Sequence, residues 1–215
     1  MSDYQESIGA CGLHCFGSIS ASVSHELKNA LAIINENAGL LEDLSFMAGK
    51  GLPLDPAKLK SLAANIGKQI QRADDIIRNM NRFAHSTDEI VKCIDLGETM
   101  ALIVALSSRL AAMKCVTLIF KPPPQTICVT THMFYLENLI WLYIKEILER
   151  AGTEKEITLT LRPQQEGTAV IFSPVDVPVT DGRAIDLLSY LKATQSANSQ
   201  HRELLIILPV DMTAC

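Results

Sequence analysis

The chain has 215 residues, of which 48% are apolar, and a formal net charge of −5 at pH 7. This length and composition suffice for one large domain or two small domains with a buried core. The acidic balance argues against nucleic acid as a main partner, because surfaces that bind nucleic acid are usually basic. The sequence lacks both an unbroken apolar run long enough to span a bilayer and a leader-like amino terminus, so we expect no membrane partner.

The six cysteines are spread along the chain without the spacing of a disulfide framework, at Cys11, Cys15, Cys93, Cys115, Cys128 and Cys215. Such a pattern is typical of a reducing compartment, so the sequence predicts a cytoplasmic protein. The grouping of Cys11, His14 and Cys15 has part of the spacing of a zinc site. No second ligand pair follows at a suitable distance, so we expect no metal there.

The first predicted element is a long helix over residues 16–48, and residues 1–17 are interpreted as an amino-terminal tail. Steps of about 100° per residue place five polar side chains on one stripe of this helix: Ser18, Ser22, His25, Asn29 and Glu36. The opposite side carries Ile19, Val23, Ala30, Ile34 and Leu41. His25 is therefore predicted to face solvent.

A second helix is predicted from Asp55-Pro56, where an N-cap residue is followed by a first-turn proline, to about Phe83. Gly49–Pro53 separates it from the first helix, and apolar residues recur along it at helical spacing. Two long helices joined by a short loop predict an antiparallel hairpin over residues 18–86. Because a lone hairpin leaves one apolar face uncovered, we expect a homodimer that forms a four-helix bundle.

The remainder, residues 93–215, predicts an α+β sandwich in which helices cover one face of a sheet. The predicted helices run from Asp95 or Thr99 to Met113, over Phe134–Arg150 and over Ala184–Lys192. The predicted strands are Val116–Phe120, Ile127–Val129, Ile157–Leu161, Ala169–Phe172 and Leu204–Leu208. Both the fold class and the order of elements follow from this succession of periodicities.

The stretch from Ser24 to Asn29 reads Ser-His-Glu-Leu-Lys-Asn and is followed by Leu31. Spacing alone favours an incidental surface histidine on an amphipathic helix. The stretch resembles the phospho-acceptor box of sensor histidine kinases, in which His-Glu precedes an aliphatic residue, a basic residue and then Asn or Thr. It departs from that family at Ala30, where proline is usual. The order of elements from about residue 18 to residue 209 is similar to the same family.

The resemblance implies roles for individual residues. His25 would accept the phosphoryl group, Glu26 would orient the ring or accept its proton, and Asn29 would place a water or a phosphoryl oxygen. Glu26 is also compatible with a solvated helix glutamate, and Lys28 with an ordinary surface charge. The surface that meets a partner protein is expected to include five side chains: Ser18, Ser22, Lys28, Gln69 and Arg72.

The ATP-binding pattern of that family is missing from the second half of the chain. The family uses an Asn that reaches Mg²⁺, an Asp-x-Gly-x-Gly turn that reads adenine, and a further glycine-rich loop. Aligning Leu136–Ala151 with the Asn-bearing helix places Glu146 at the Asn position. The expected glycine turn reads Ser173-Pro174-Val175-Asp176-Val177, which has no glycine, although loops that wrap phosphates favour glycine.

These features predict a histidine phosphotransferase of a bacterial two-component phosphorelay, which resembles a degenerate sensor histidine kinase core. It would shuttle phosphoryl groups between receiver-domain aspartates through His25, without ATP and without a cofactor of its own, because the receiver supplies Mg²⁺. Two alternatives stay open. The chain could be a non-catalytic pseudokinase that docks or inhibits response regulators or kinases, or a divergent active kinase that uses Glu146.

Overall fold

The computed structural model describes residues 2–152, 154–165, 167–175 and 178–213, apart from the side chains of residues 2–5 and 7. Asp176 and Val177 of the predicted turn, and Cys215, lie outside these ranges. The chain divides into two compact units. One unit is Ser20–Asn81, and the other joins the residues before Ser20 to those from Arg82 onward.

The first unit is a helical hairpin formed by α1 (Ser2–Gly49) and α2 (Pro56–Ala84). Asp55 begins α2 as predicted, because its carboxylate accepts a 2.9 Å hydrogen bond from the N–H of Ala57. Several large apolar side chains of the hairpin remain exposed: Leu31, Leu40, Phe46, Met47, Leu52, Leu54, Ile70 and Ile77. The expected four-helix bundle, which would cover such residues, stays a prediction.

The start of α1 differs from the predicted tail. Residues 2–17 are helical and belong to the unit that begins again at Arg82. Ile8, Cys11 and Cys15 are buried there, and Gly12 lies so close to Phe134 that an added Cβ would come within 2.9 Å of the ring. The partners of this segment, such as Phe83 and Phe134, lie far along the chain, so the sequence alone did not indicate its packing.

The second unit confirms the predicted α+β class, with the predicted order of helices and most of the strands. Its helices are α3 (Leu96–Met113), α4 (Met133–Arg150) and α5 (Gly182–Tyr190). Its strands are β1 (Lys92–Asp95), β2 (Thr117–Lys121), β3 (Cys128–Thr131), β4 (Glu156–Gln164), β5 (Gly167–Ser173), β6 (Thr194–Asn198) and β7 (Glu203–Leu208).

In the described part of the chain, five strands form one sheet in the order β2-β4-β5-β7-β6. The β2–β4 pair is parallel, and the other neighbours are antiparallel. Strands β1 and β3 form a separate antiparallel ribbon. Strands β1 and β6 were not predicted. Strand β6 lies at the sheet edge and reads Thr-Gln-Ser-Ala-Asn, so it lacks the alternating apolar residues by which strands are recognised.

Helices and sheet share one core, in which Tyr143 of α4 stacks on Phe172 of β5 with ring centroids 5.9 Å apart. Helix α3 packs against β2 and α4, and α5 packs against α4. Gly167 is required where β5 begins: its φ is +155°, and an added Cβ would lie 1.9 Å from the carbonyl oxygen of Leu208. Any side chain there would prevent β5 from pairing with the end of β7.

Among the described helices, α3 has the length and composition of a weak candidate membrane span, with a mean hydropathy of 1.3 over 18 residues. Buried residues make up 44% of that stretch. Its packing against β2 and α4 therefore accounts for its apolar composition as a core helix.

Glu137 of α4 is a carboxylate buried in the second unit. Its side chain is fully buried, and neither of its oxygens has a hydrogen-bond partner among the described residues. The hydroxyl of Ser86 faces it but donates to the carbonyl of Phe83 at 2.7 Å. Burial raises the pKa of Glu137 to about 8, and the charges of Lys92 and Arg82 offset only part of this effect.

Replacing this carboxyl with an amide should stabilise the protein in a pH-dependent way. Below the ordinary pKa of 4.5, the Glu137 carboxyl is protonated in both the folded and the unfolded chain, so it does not lower the free energy of unfolding. Between pH 4.5 and about 8 the carboxyl ionises in the unfolded chain but stays protonated in the folded one, so the free energy of unfolding falls as the pH rises. Glu137→Gln should therefore gain stability over the wild type, by about 1 to 4 kcal/mol at pH 8 and little at pH 4.5.

Urea unfolding at both pH values measures this difference. The matched control is Glu149→Gln, which alters an exposed glutamate of the same helix and should leave the pH dependence unchanged. An equal stability change at both pH values would show that Glu137 does not carry the pH dependence.

Candidate functional site

His25 lies on the solvent side of α1, as predicted. Its neighbours on the opposite side, Val23 and Ala30, are 8% and 0% exposed, whereas His25 and Asn29 are exposed. Asn29 follows one turn after His25 and therefore shares its face of the helix. Within the described residues the imidazole makes no hydrogen bond or ion pair, so both ring nitrogens are accessible to a partner protein.

Glu26 is held by α2 rather than by the neighbouring histidine. Its Oε2 lies 3.6 Å from Nη2 of Arg72, and 16% of the Glu26 side chain is exposed, against 47% for Arg72. This ion pair joins the two helices of the hairpin beside His25. It thus gives the residue that follows His25 an ionic partner on the other helix.

The other predicted partner-binding residues differ in accessibility. Lys28 is exposed, and Ser22 is half-buried on the stripe that carries His25. Ser18 is half-buried too, but it precedes Ser20 and so belongs to the other unit. Gln69 lies one turn before Arg72 on α2, and its Oε1 is buried without a hydrogen-bond partner among the described residues. That amide oxygen faces inward and is not part of the exposed surface.

A second group of polar side chains surrounds Glu146, at the position where the resemblance places the Mg²⁺-binding Asn. Glu146 pairs with Arg150, one turn further along α4. Its carboxylate also accepts hydrogen bonds from the backbone N–H groups of Thr180 and Asp181, at 3.2 and 3.4 Å. Arg150 donates in addition to the carbonyl of Pro178 and the hydroxyl of Thr180. The carboxylate therefore holds the segment before α5 in place.

A cavity of about 230 Å³ lies beside this group and is bordered by Glu146, Arg150, Val175 and Arg202. Pockets that hold drug-sized ligands are usually about 300–1,000 Å³. The N–H of Val175 donates to the carbonyl of Arg202 at 2.7 Å, so this part of the predicted turn is tied to the loop between β6 and β7. Glu146, at the position where the resemblance places an Asn, thus lies beside Val175 of the predicted turn at the edge of this cavity.

No metal-binding group of three or more His, Cys, Asp and Glu side chains occurs within the described ranges. Of the partial motif in α1, Cys11 and Cys15 are buried thiols. The ring of His14 instead meets Trp141 edge-on, with centroids 6.5 Å apart. Close packing against α4 is therefore the observed role of this motif.

One known family matches part of the chain. Residues 17–89 match the family described as "His Kinase A (phospho-acceptor) domain". The match covers the hairpin unit and includes His25, Glu26 and Asn29. No curated protein matches the chain.

Among solved structures, the chain is similar to the histidine kinase AdeS of Acinetobacter baumannii, at 11% identity and a TM-score of 0.44, over 86% of this chain and 98% of that one. It is also similar to the ATP-binding domain of PrrB from Mycobacterium tuberculosis, at 14% identity and a TM-score of 0.47. That likeness covers 57% of this chain and 98% of the other. At these values neither likeness carries an argument about activity.

Arg150 is the residue of this region that the sequence analysis did not single out. Its spacing of four residues from Glu146 is the pattern of a helical ion pair and could have suggested it. The contacts of Arg150 with residues 178 and 180 could not have been predicted, because they depend on how the chain folds back before α5.

A double-mutant cycle tests whether the Glu26–Arg72 pair stabilises the hairpin. Single and double Gln variants at these positions should show a coupling of about 0.5–1 kcal/mol in urea unfolding, because Glu26 is largely shielded from water. The control is the exposed pair Asp75–Arg78, with its 3.0 Å contact within one helix, for which at most about 0.5 kcal/mol is expected. Zero coupling between Glu26 and Arg72 would mean that the contact has no energetic weight.

Proposed function

We propose that the chain is a histidine phosphotransferase of a two-component phosphorelay, in which His25 carries the phosphoryl group between receiver-domain aspartates. The observation that carries this proposal is the exposed imidazole of His25, beside a carboxylate held in place, within a stretch that matches a phospho-acceptor domain. A nucleophile on a rigid helix and open to a macromolecular partner suits transfer between proteins.

In the proposed reaction, a nitrogen of the neutral imidazole attacks phosphorus in line with the bond to the aspartyl oxygen. The new N–P bond forms as the P–O bond breaks, and the aspartate leaves as a carboxylate. Transfer to the next receiver repeats these events in the opposite direction. Such transfers depend on positioning and charge neutralisation, and the Mg²⁺ of the receiver supplies most of the latter.

Glu26 would accept the proton that the attacking imidazole gives up, or hold the ring through a hydrogen bond. Its pairing with Arg72 supports this role by restricting the carboxylate to one side of His25. Asn29, exposed on the same face, would bind a phosphoryl oxygen or place a water molecule. Ser18, Ser22, Lys28, Gln69 and Arg72 are proposed as contacts for the receiver.

Phosphorylation without ATP is part of the proposal. It is supported by the pairing of Glu146 with Arg150 and by the hydrogen bonds that Glu146 accepts from residues 180 and 181. A carboxylate with these partners is poorly placed to give them up for Mg²⁺. The second unit would therefore act as a scaffold or as a further contact for the receiver.

The proposed partners are receiver domains of response regulators and a second copy of the chain. The exposed apolar residues of the hairpin, such as Leu31, Phe46 and Ile77, support the homodimer, because burying them requires a partner surface. A cytoplasmic location, with neither nucleic acid nor membrane as a partner, agrees with the net charge of −5 and the free thiols.

One observation favours a second candidate function, a pseudokinase that docks response regulators or kinases and blocks them. Glu26 is bound to Arg72 and not to His25, which is the arrangement expected if the carboxylate only stabilises the hairpin. A divergent kinase would instead have to free Glu146 from Arg150.

Incubation with a receiver that carries a labelled aspartyl phosphate tests the relay. Label should reach the wild-type protein and the control variant His85→Gln, and should be absent from His25→Gln, because only His25 carries the proposed phosphoryl group. The measurement is the acid-labile label on each protein.

Two outcomes would contradict the relay. Receiver binding without any transfer of label would favour the docking protein. Label taken from ATP and Mg²⁺ in the absence of a receiver would favour the divergent kinase.

Glu26 can be tested separately from His25. Glu26→Gln should slow transfer from the receiver by about 10²-fold, since it removes the proton acceptor and leaves the size of the side chain unchanged. Glu36→Gln, at an exposed glutamate of the same stripe, is the control and should transfer at the wild-type rate. Rapid-quench kinetics with saturating receiver measures the step, and an unchanged rate for Glu26→Gln would remove Glu26 from the mechanism.

A further inference from the structure

Two exposed cysteines lie on neighbouring strands of the β1–β3 ribbon. Cys93 of β1 is paired in register with Thr130, and Cys128 of β3 with Asp95. The two cysteines are therefore diagonal neighbours, two residues apart in the ladder, and their side chains emerge on the same face. Both thiols are free and both residues are exposed.

The two thiols also lie near enough to affect one another. Desolvation and, after it, the neighbouring Cys93 thiol raise the pKa of Cys128. Diagonal neighbours in a regular ladder are about 7–8 Å apart at Cα, which is slightly beyond the usual span of a disulfide. Two-stranded ribbons twist more strongly than larger sheets, and this twist brings one diagonal closer. The effect of Cys93 on the pKa of Cys128 agrees with a pair on the closer diagonal.

We propose that Cys93 and Cys128 form a reversible disulfide when the protein meets a peroxide. The site is a dithiol at the surface of the second unit, and the proposal is independent of phosphoryl transfer at His25. An exposed cross-strand disulfide of this type is accessible to thiol reductants, so the oxidised form can be returned to two thiols.

The reaction balances with hydrogen peroxide as the only oxidant. The thiolate of one cysteine attacks a peroxide oxygen, so that the O–O bond breaks, sulfenic acid forms, and the departing hydroxide is protonated to water. The sulfur of the second cysteine then attacks the sulfenic sulfur, the S–S bond forms, and the second oxygen leaves as water. The two thiols lose two electrons in total, and one peroxide is reduced to two waters.

The full-length protein provides its own controls. After limited treatment with hydrogen peroxide, the remaining thiols are alkylated and the protein is digested without reductant for mass spectrometry. We expect residues 93 and 128 to lose their thiols together, to appear as one linked pair of peptides, and to recover both thiols with a dithiol reductant. The variant Cys115→Ser, which removes another exposed thiol, should give the same linked pair.

The variants Cys93→Ser and Cys128→Ser each remove one partner of an exposed pair, and a thermal melt checks that they remain folded. Neither should form the linked peptide. The proposal is wrong if residues 93 and 128 oxidise separately to sulfinic acids in the wild type. It is also wrong if Cys115 enters disulfides as readily as they do, or if the linkage occurs only between two chains.

Discussion

The contact between Glu26 and Arg72 agrees with the way in which the hairpin presents its histidine. Adjacent residues of a helix differ in direction by about 100°. With Glu26 turned toward α2, His25 therefore starts from a different side of α1, and it is exposed to solvent. Burial of Val23 and Ala30 sets the same rotation of α1 by a different force. The ion pair and the burial of apolar side chains thus both favour exposure of the imidazole to solvent.

Three glutamates of this chain show how surroundings decide what a carboxylate does. Glu26 is partly exposed and forms an ion pair with Arg72 across the hairpin. Glu146 combines an arginine with two backbone N–H donors, an arrangement that orders a connecting segment. Glu137 is buried without hydrogen-bond partners among the described residues, and burial raises its pKa. The three carboxylates thus differ in their exposure and in the partners that they meet.

Periodicity was enough to predict the hairpin, the α+β class and the exposure of His25, because each depends on which residues along a helix or strand are apolar. The polar edge strand β6 gave no such signal, and its pairing with β7 depends on backbone hydrogen bonds that any residue can make. The family resemblance named Glu26, but its partner Arg72 was expected to contact a receiver. Which residues meet across two helices depends on their packing, and one sequence does not specify it.

Contacts between distant cysteines could not be predicted from the sequence either. Their separation along the chain suggested unrelated thiols, whereas antiparallel pairing of β1 and β3 places Cys93 beside Cys128. The contacts of Arg150 beyond α4 were hidden for the same reason. Residues that are distant in sequence became neighbours through topology.

The packed beginning of α1 has a practical consequence for anyone preparing fragments. A truncation that starts at residue 17, where the phospho-acceptor match begins, would remove Ile8, Cys11 and Cys15 from the domain that contains α4. The rings of Phe134 and Trp141, which contact Gly12 and His14 in the full chain, would become exposed to solvent. Such a shortened polypeptide would carry an exposed apolar patch, so expression trials should retain the whole of the first helix.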